Sequence, residues 1–227
     1  MDRYEGLGAS DVGPIVVDIE TAPLPDAEVY LDPVVAAKNL KDPEKIRADI
    51  EQRTADRADR LALDWNVGRI VALGWWTDRH GCVASVCQDD HAEQAALVDF
   101  WRVAKHRLVL GFNVKNFDGP YLVQRSRYLG VVPLQLDLGR YSRKGVIDLM
   151  NELTFNDAPA ANCMRRSLHA FCRRFGIPVD DPVTGSDVPA LVARGEWEAV
   201  RAHVMSDVML TVRLAQRLGF VRVRETS

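Results

Sequence analysis

The sequence predicts an α/β protein: one mixed sheet, an antiparallel meander plus parallel strands, flanked by helices. Runs at 15–21, 69–76 and 82–87 are short, apolar and set off by turn residues, which reads as a meander of strands. A further strand at 108–112 arrives only after a helical pattern at 92–105, and a strand delivered by a helix beside an earlier hairpin makes a mixed sheet with helices packed on it. A last helix from about 196 to 218 carries one apolar face that must pack on that sheet.

The chain has 227 residues, 47% of them hydrophobic and 27% charged, which is ordinary globular composition and suits a single domain, 1–227. No apolar run approaches the roughly 20 residues that a membrane span needs, and Met1-Asp2-Arg3-Tyr4-Glu5 lacks the basic-then-apolar layout of a signal peptide. A cytoplasmic protein without a membrane partner is the expectation. Cys82, Cys87, Cys163 and Cys172 make no C-x-x-C pair, so reduced thiols are expected, with no disulfide and no zinc.

The net charge of −3 averages over an uneven distribution. Residues 1–64 hold 15 acids against 8 bases, whereas 101–145 hold 9 bases against Asp118 and Asp137. That basic third (Arg102, Lys105, Arg107, Lys115, Arg125, Arg127, Arg140, Arg143, Lys144) can supply phosphate contacts, although a charge run is more often a solvated face.

In chain order, Pro23 and Pro25 end the first strand, and 26–64 reads as a helical surface insertion. Asp42-Pro43 supplies its N-cap and first helical residue, and Ile46, Ile50, Ala58 and Leu61 leave only a narrow apolar stripe. The helix at 92–105 offers Ala95, Ala96, Val98, Phe100 and Val103 as buried candidates. After the strand at 108–112 another helix begins near Asp118, where the helix dipole already favours a carboxylate. The run 146–150 carries Asp148, read as a cap or a hydrogen-bonding support to the site. A helix from about 165 to 175 stops at Gly176 with Pro178 beyond, and its His169 reads as an ordinary helix residue. On the last helix His203, Asp207, Leu210 and Leu214 are spaced four, three and four, so they share a face.

The chemistry starts in the first strand, Ile15-Val16-Val17-Asp18-Ile19-Glu20-Thr21. Residues i and i+2 of a strand face the same way, so Asp18 and Glu20 project together from an apolar run. Two buried carboxylates side by side repel and lose solvation unless a cation neutralises them, and hard oxygen ligands suit Mg²⁺ or Mn²⁺; taken alone, the stretch reads equally well as a strand end with two solvated acids in a loop mouth. Asp118 and Asp207, each on an element end or a buried face, bring the set to four. Such a cluster suits two divalent ions about 4 Å apart, which clamp the attacking and leaving oxygens of a phosphodiester.

With these residues in place, the chain resembles the DEDD superfamily of 3′-5′ exonucleases. Val17-Asp18-Ile19-Glu20-Thr21 is similar to its first motif, Asn113-Val114-Lys115-Asn116-Phe117-Asp118 to its second, and His203-Val204-Met205-Ser206-Asp207 occupies the place of its third. The resemblance is nearest to predicted exonucleases related to the proofreading domain of family B DNA polymerases, in the form often carried by phages and prophages. It implies the ribonuclease H-like fold and hydrolysis of 3′ ends of DNA, single-stranded or frayed, to nucleoside 5′-monophosphates, with RNA as another possible substrate. It also implies two Mg²⁺ or Mn²⁺ held by Asp18, Glu20, Asp118 and Asp207, with His203 positioning or deprotonating the water. Thr21, Asn113, Lys115, Phe117 and Phe112 become candidates for holding the terminal nucleotide, although core packing is the more common use of the two phenylalanines. A bacterial or phage-infected cell, with replication or recombination proteins as partners, is the expected setting.

One departure stands out. The superfamily places a tyrosine four residues before the last aspartate or a histidine five before it; here a histidine lies four before, and Ala202 lies five before. At about 100° per residue, His203 sits roughly 40° round the helix from Asp207, in the tyrosine's location. A domain that keeps the fold and binds nucleic acid as a scaffold without catalysis is the rival reading, favoured by His203 and opposed by the four carboxylates. No G-x-G-x-x-G or G-x-x-x-x-G-K-[ST] occurs, which argues against a nucleotide-binding α/β domain.

Overall fold

The computed structural model describes residues 12–58, 60–155 and 167–222. Among the described residues, five strands and seven α-helices run in the order β1 (Ile15–Pro23), α1 (Pro43–Ala58), β2 (Gly68–Thr77), β3 (Gly81–Val86), α2 (Asp90–Ala104), β4 (Val109–Gly111), α3 (Asp118–Tyr128), β5 (Val146–Asp148), α4 (Leu149–Leu153), α5 (Leu168–Arg174), α6 (Val188–Ala193) and α7 (Trp197–Arg217). They form one sheet of order β3-β2-β1-β4-β5, antiparallel across β3, β2 and β1 and parallel across β1, β4 and β5. The expected mixed sheet flanked by helices is present.

β1 is the central strand, and its alternation separates two cores. Ile15, Val17 and Ile19 face the layer of α2 and α3, packing with Leu97, Phe100 and Tyr121. Val16 faces the other layer with Val208 and Leu214 of α7, and strand alternation puts Asp18 and Glu20 on that same side. The site therefore opens on the α7 face of the sheet.

The β1–β2 register slips beside the site. Glu20 pairs with Ala72 and Thr21 with Ile70, so Val71 is the extra residue of a bulge. The slip turns both Val71 and Ala72 toward Val188 of α6 and Val200 and Val204 of α7. Nearby, a Cβ on Gly74 would lie 2.9 Å from Val208 Cγ2 and 3.0 Å from Val204 Cγ2, so a residue without a side chain lets α7 seat closely on β2.

On the opposite face, Glu93 is fully buried and takes both Nε and Nη2 of Arg125, at 2.8 and 2.9 Å, while accepting the Ile70 N–H at 3.0 Å. One buried ion pair thus ties α2 and α3 to β2. The buried stripe of α2 is Glu93, Ala96, Leu97, Phe100, Trp101 and Ala104 together with Val103. Ala95 and Val98, expected inside, are exposed because they fall off that three-and-four spacing.

In the 26–64 region, α1 buries no residue, as its narrow apolar stripe implied. Asp42 Oδ1 accepts the Glu44 N–H at 2.9 Å, the expected cap. The segment ends in a short 3-10 turn at Leu61–Leu63, where the Ala62 carbonyl accepts the Thr21 hydroxyl at 2.6 Å and the Tyr121 hydroxyl at 2.7 Å. The surface segment is therefore pinned to β1 just past Glu20.

Three members of the basic stretch turn inward. Arg125 pairs with Glu93, Arg107 donates to the Gly13 carbonyl at 2.6 Å, and Lys115 is buried, whereas Arg102, Lys105, Arg127, Arg140, Arg143 and Lys144 are exposed. Cys82, Cys87 and Cys172 are free thiols; Cys163 and the start of the helix expected from 165 lie outside the described residues. No described helix is long and apolar enough to cross a membrane.

Candidate active site

Two local features bring Asp118 to β1. β4 ends at Gly111, and Asn113 then adopts a left-handed φ of 62°, turning the chain into α3. β1 pairs with β4 only through Val16↔Leu110, so the Ile19 N–H projects past the end of β4, and Asp118 Oδ1 accepts it at 3.2 Å. Asp148, at the end of β5, holds this loop by accepting the N–H groups of Asn113 at 2.9 Å and Lys115 at 3.1 Å while capping α4. Its expected supporting role matches these contacts, which lie at the carboxyl ends of the parallel strands.

α7 supplies the other side. His203, Leu210 and Leu214 are buried and Asp207 is half-buried, as the face reading required. His203 Nε2 lies 3.3 Å from Glu20 Oε1, and one ligand atom each of Glu20, His203 and Asp207 fall within 4.8 Å of one another.

The surroundings of His203 differ from the expected water-contacting position. The ring is 2% exposed, with Nδ1 2.7 Å from Asp181 Oδ2 and Nε2 turned to Glu20. Asp181 comes from the segment between α5 and α6, whose Gly185 also approaches Glu20. His169 corrects the sequence reading as well: from α5 its Nε2 reaches Asp207 Oδ1 at 3.1 Å. Sequence spacing carried no signal for Asp181 or His169, because each meets the site through the packing of a separate segment.

The electrostatics follow from burial and like charge. Burial, then Asp118, Glu20 and Asp207, hold the Asp18 carboxyl well above the usual carboxylate range. Burial followed by Asp207, Asp118 and Asp181 does the same to Glu20. Burial pushes Asp118 up to about 7, against the two backbone N–H groups that favour its charged form. Among the described residues, no lysine or arginine forms an ion pair with any of these four carboxylates. Burial and mutual repulsion raise Asp18, Glu20 and Asp118, and such a set of hard oxygen donors fits divalent cations.

The expected nucleotide contacts fare differently. The Lys115 ammonium is held by the carbonyls of Gly139 and Ser142, so it braces the 139–142 loop. The Thr21 hydroxyl is spent on Ala62. Asn113 accepts from the Asn116 amide at 3.1 Å. Phe112 and Phe117 are half-buried and packed on the two cores, Phe112 against Phe171 at 6.0 Å and Phe117 against Tyr121 at 5.3 Å between centroids. These contacts are packing contacts.

The mixed sheet thus carries paired carboxylates on its central strand and receives a further acid from each of two helices. The chain belongs to the family of predicted 3′-5′ exonucleases related to the exonuclease domain of PolB, whose model matches residues 63–224. That span holds Asp118, His169, Asp181, His203 and Asp207 and begins after Asp18 and Glu20. Among solved structures, the family B DNA polymerase of the hyperthermophilic archaeon Pyrobaculum calidifontis shares the fold, with a TM-score of 0.58 at 21% identity. The match covers 90% of this chain and 24% of the polymerase, so the chain spans about a quarter of that protein's length. No curated protein matches the chain.

Proposed function

We propose that the chain is a metal-dependent 3′-5′ exonuclease that trims single-stranded or frayed 3′ ends of DNA to nucleoside 5′-monophosphates. The carrying observation is the convergence of Asp18, Glu20, Asp118 and Asp207 without a compensating lysine or arginine among the described residues. These four side chains would hold two divalent cations, Mg²⁺ or Mn²⁺. When bound, the ions supply Lewis acidity for activating water and for stabilising the leaving 3′ oxygen.

The chain's own residues do the positioning. Asp118 is fixed by the Ile19 N–H, and Asp148 fixes the loop before it. Asp207 is oriented by His169, and Glu20 is faced by His203, so each flexible carboxylate meets a defined partner. The exposed arginines and lysines of 102–144 provide charge for phosphate contacts, and replication or recombination proteins are the partners such trimming would serve.

The test is release of label from a 3′-labelled oligonucleotide in Mn²⁺, run on DNA and RNA, with the wild type and Asp118→Asn. Mononucleotide release lost in the variant supports the reading. Tight binding without release overturns it and favours the scaffold alternative, to which the enclosure of His203 gives weight.

A further inference from the structure

Asp181, His203 and Glu20 stand in line, and the middle residue cannot satisfy both neighbours as a neutral ring while both are ionised. At 2.7 Å from Asp181 Oδ2, an acceptor when ionised, Nδ1 must carry the hydrogen. In a neutral imidazole, Nε2 then presents its lone pair to Glu20 Oε1 at 3.3 Å, and an ionised Glu20 sets one electron-rich atom against another. Something positive belongs near that pair. The position is shared with Asp207, whose oxygen lies with a Glu20 oxygen and a His203 ring nitrogen in a group no wider than 4.8 Å. The ring is 2% exposed, so bulk water does not relieve the conflict.

We propose that His203 is a metal ligand, with Asp181 setting its tautomer, so that one cation of this site is held by Glu20, His203 and Asp207 and is drawn from the first-row transition dications, Mn²⁺ in preference to Mg²⁺. The inference rests on reading the carboxylate cluster as a cation site, and it adds a nitrogen donor to that cluster. A histidine that ligates a metal through one nitrogen donates its other N–H to a carboxylate, which is the relation of His203 to Asp181. Imidazole suits transition dications such as Fe²⁺, Ni²⁺ and Zn²⁺; Mn²⁺ shares the oxygen ligands of Mg²⁺ but, being softer, accepts a nitrogen donor more readily. The sequence departure at this position thereby acquires a chemical content: at the fourth residue before Asp207 the chain carries a side chain that binds such ions well.

A proton on Nε2 or on Glu20 would also satisfy the geometry, and pulsed EPR on the full chain with MnCl₂ as the only added metal separates a shared proton from a metal. The expected result is ¹⁴N modulation from an imidazole coordinated directly to Mn²⁺, lost in His203→Gln and retained in His169→Gln. His203→Gln should weaken Mn²⁺ binding about 10-fold or more while changing Mg²⁺ binding less, and Asp181→Asn should weaken it about 10-fold with the modulation kept. Bound Mn²⁺ without coordinated nitrogen, modulation that survives His203→Gln, or no Mn²⁺ binding at all would each overturn the proposal. Label release assayed on the same samples keeps the two readings apart. Release without nitrogen coordination removes this inference alone, and coordination without release removes the exonuclease reading alone.

Discussion

His169 of α5 and Asp207 of α7 are 38 residues apart in sequence, and the imidazole Nε2 lies 3.1 Å from the carboxylate Oδ1. The contact depends on α5 packing against α7, where the Cys172 thiol approaches the Leu210 carbonyl at 3.8 Å. His169→Ala is expected to lower kcat about 10- to 100-fold, since removing a partner that orients a ligating carboxylate typically costs that much. His169→Gln, which keeps a hydrogen-bonding side chain, should recover part of the loss. Equal rates for wild type and His169→Ala would show that Asp207 needs no such support.

Asp18→Ala and Asp207→Ala should each abolish label release. Without metal, both variants should melt at or above the wild-type temperature, because each substitution removes a like charge from a crowded buried cluster. Calorimetry in chelator checks the second outcome, and a marked fall in Tm would contradict the repulsion described for the site.

The cluster also predicts a pH dependence. Asp18, Glu20 and Asp118 have pKa values raised by folding, Asp118 from 3.8 to about 7. An acid of this kind binds more protons folded than unfolded, so its contribution to stability is full below the unfolded value and is lost as pH climbs through the folded one. In chelator, these groups should lower Tm between pH 5 and pH 8. Added Mn²⁺ should raise Tm more at pH 8 than at pH 5, where protons compete for the same oxygens. A shift of equal size at both values would contradict this account.

Gly74→Ala tests how α7 is seated. A methyl group there meets Val208 and Val204 at 2.9 and 3.0 Å, and overpacking of this kind costs about 1–3 kcal/mol. Because α7 carries both His203 and Asp207, activity should fall along with Tm. A fully active Gly74→Ala enzyme would mean that the helix shifts without disturbing the site.

Arg125→Met addresses the opposite core. It leaves Glu93 buried without its partner, and breaking a buried pair from one side costs about 3–5 kcal/mol. Denaturant unfolding should report the loss, while kcat below the melting transition stays near wild type, since the pair lies across the sheet from the carboxylates.

Much of this arrangement was legible in the chain. Alternation placed Asp18 and Glu20 together, and helical spacing placed His203, Asp207, Leu210 and Leu214 on one inward face. Those relations are local, and the geometry of a strand or helix enforces them wherever the element forms. The partners of Lys115 were not legible, since its charge suggested solvent while the fold brings two carbonyls to its ammonium. The bulge at Val71 left no sequence mark, since a run of apolar residues looks the same whether or not its alternation slips.

By itself the sequence determined the class of fold, the four acids and the odd placement of His203, because periodicity and residue chemistry are properties of short stretches. Only the tertiary structure decided what the acids and histidines meet: Asp181 on His203, His169 on Asp207 and the Ile19 N–H on Asp118. Those pairings join segments from 22 to 99 residues apart. Contacts over such separations are selected by how whole layers pack, a condition that no single stretch of sequence contains.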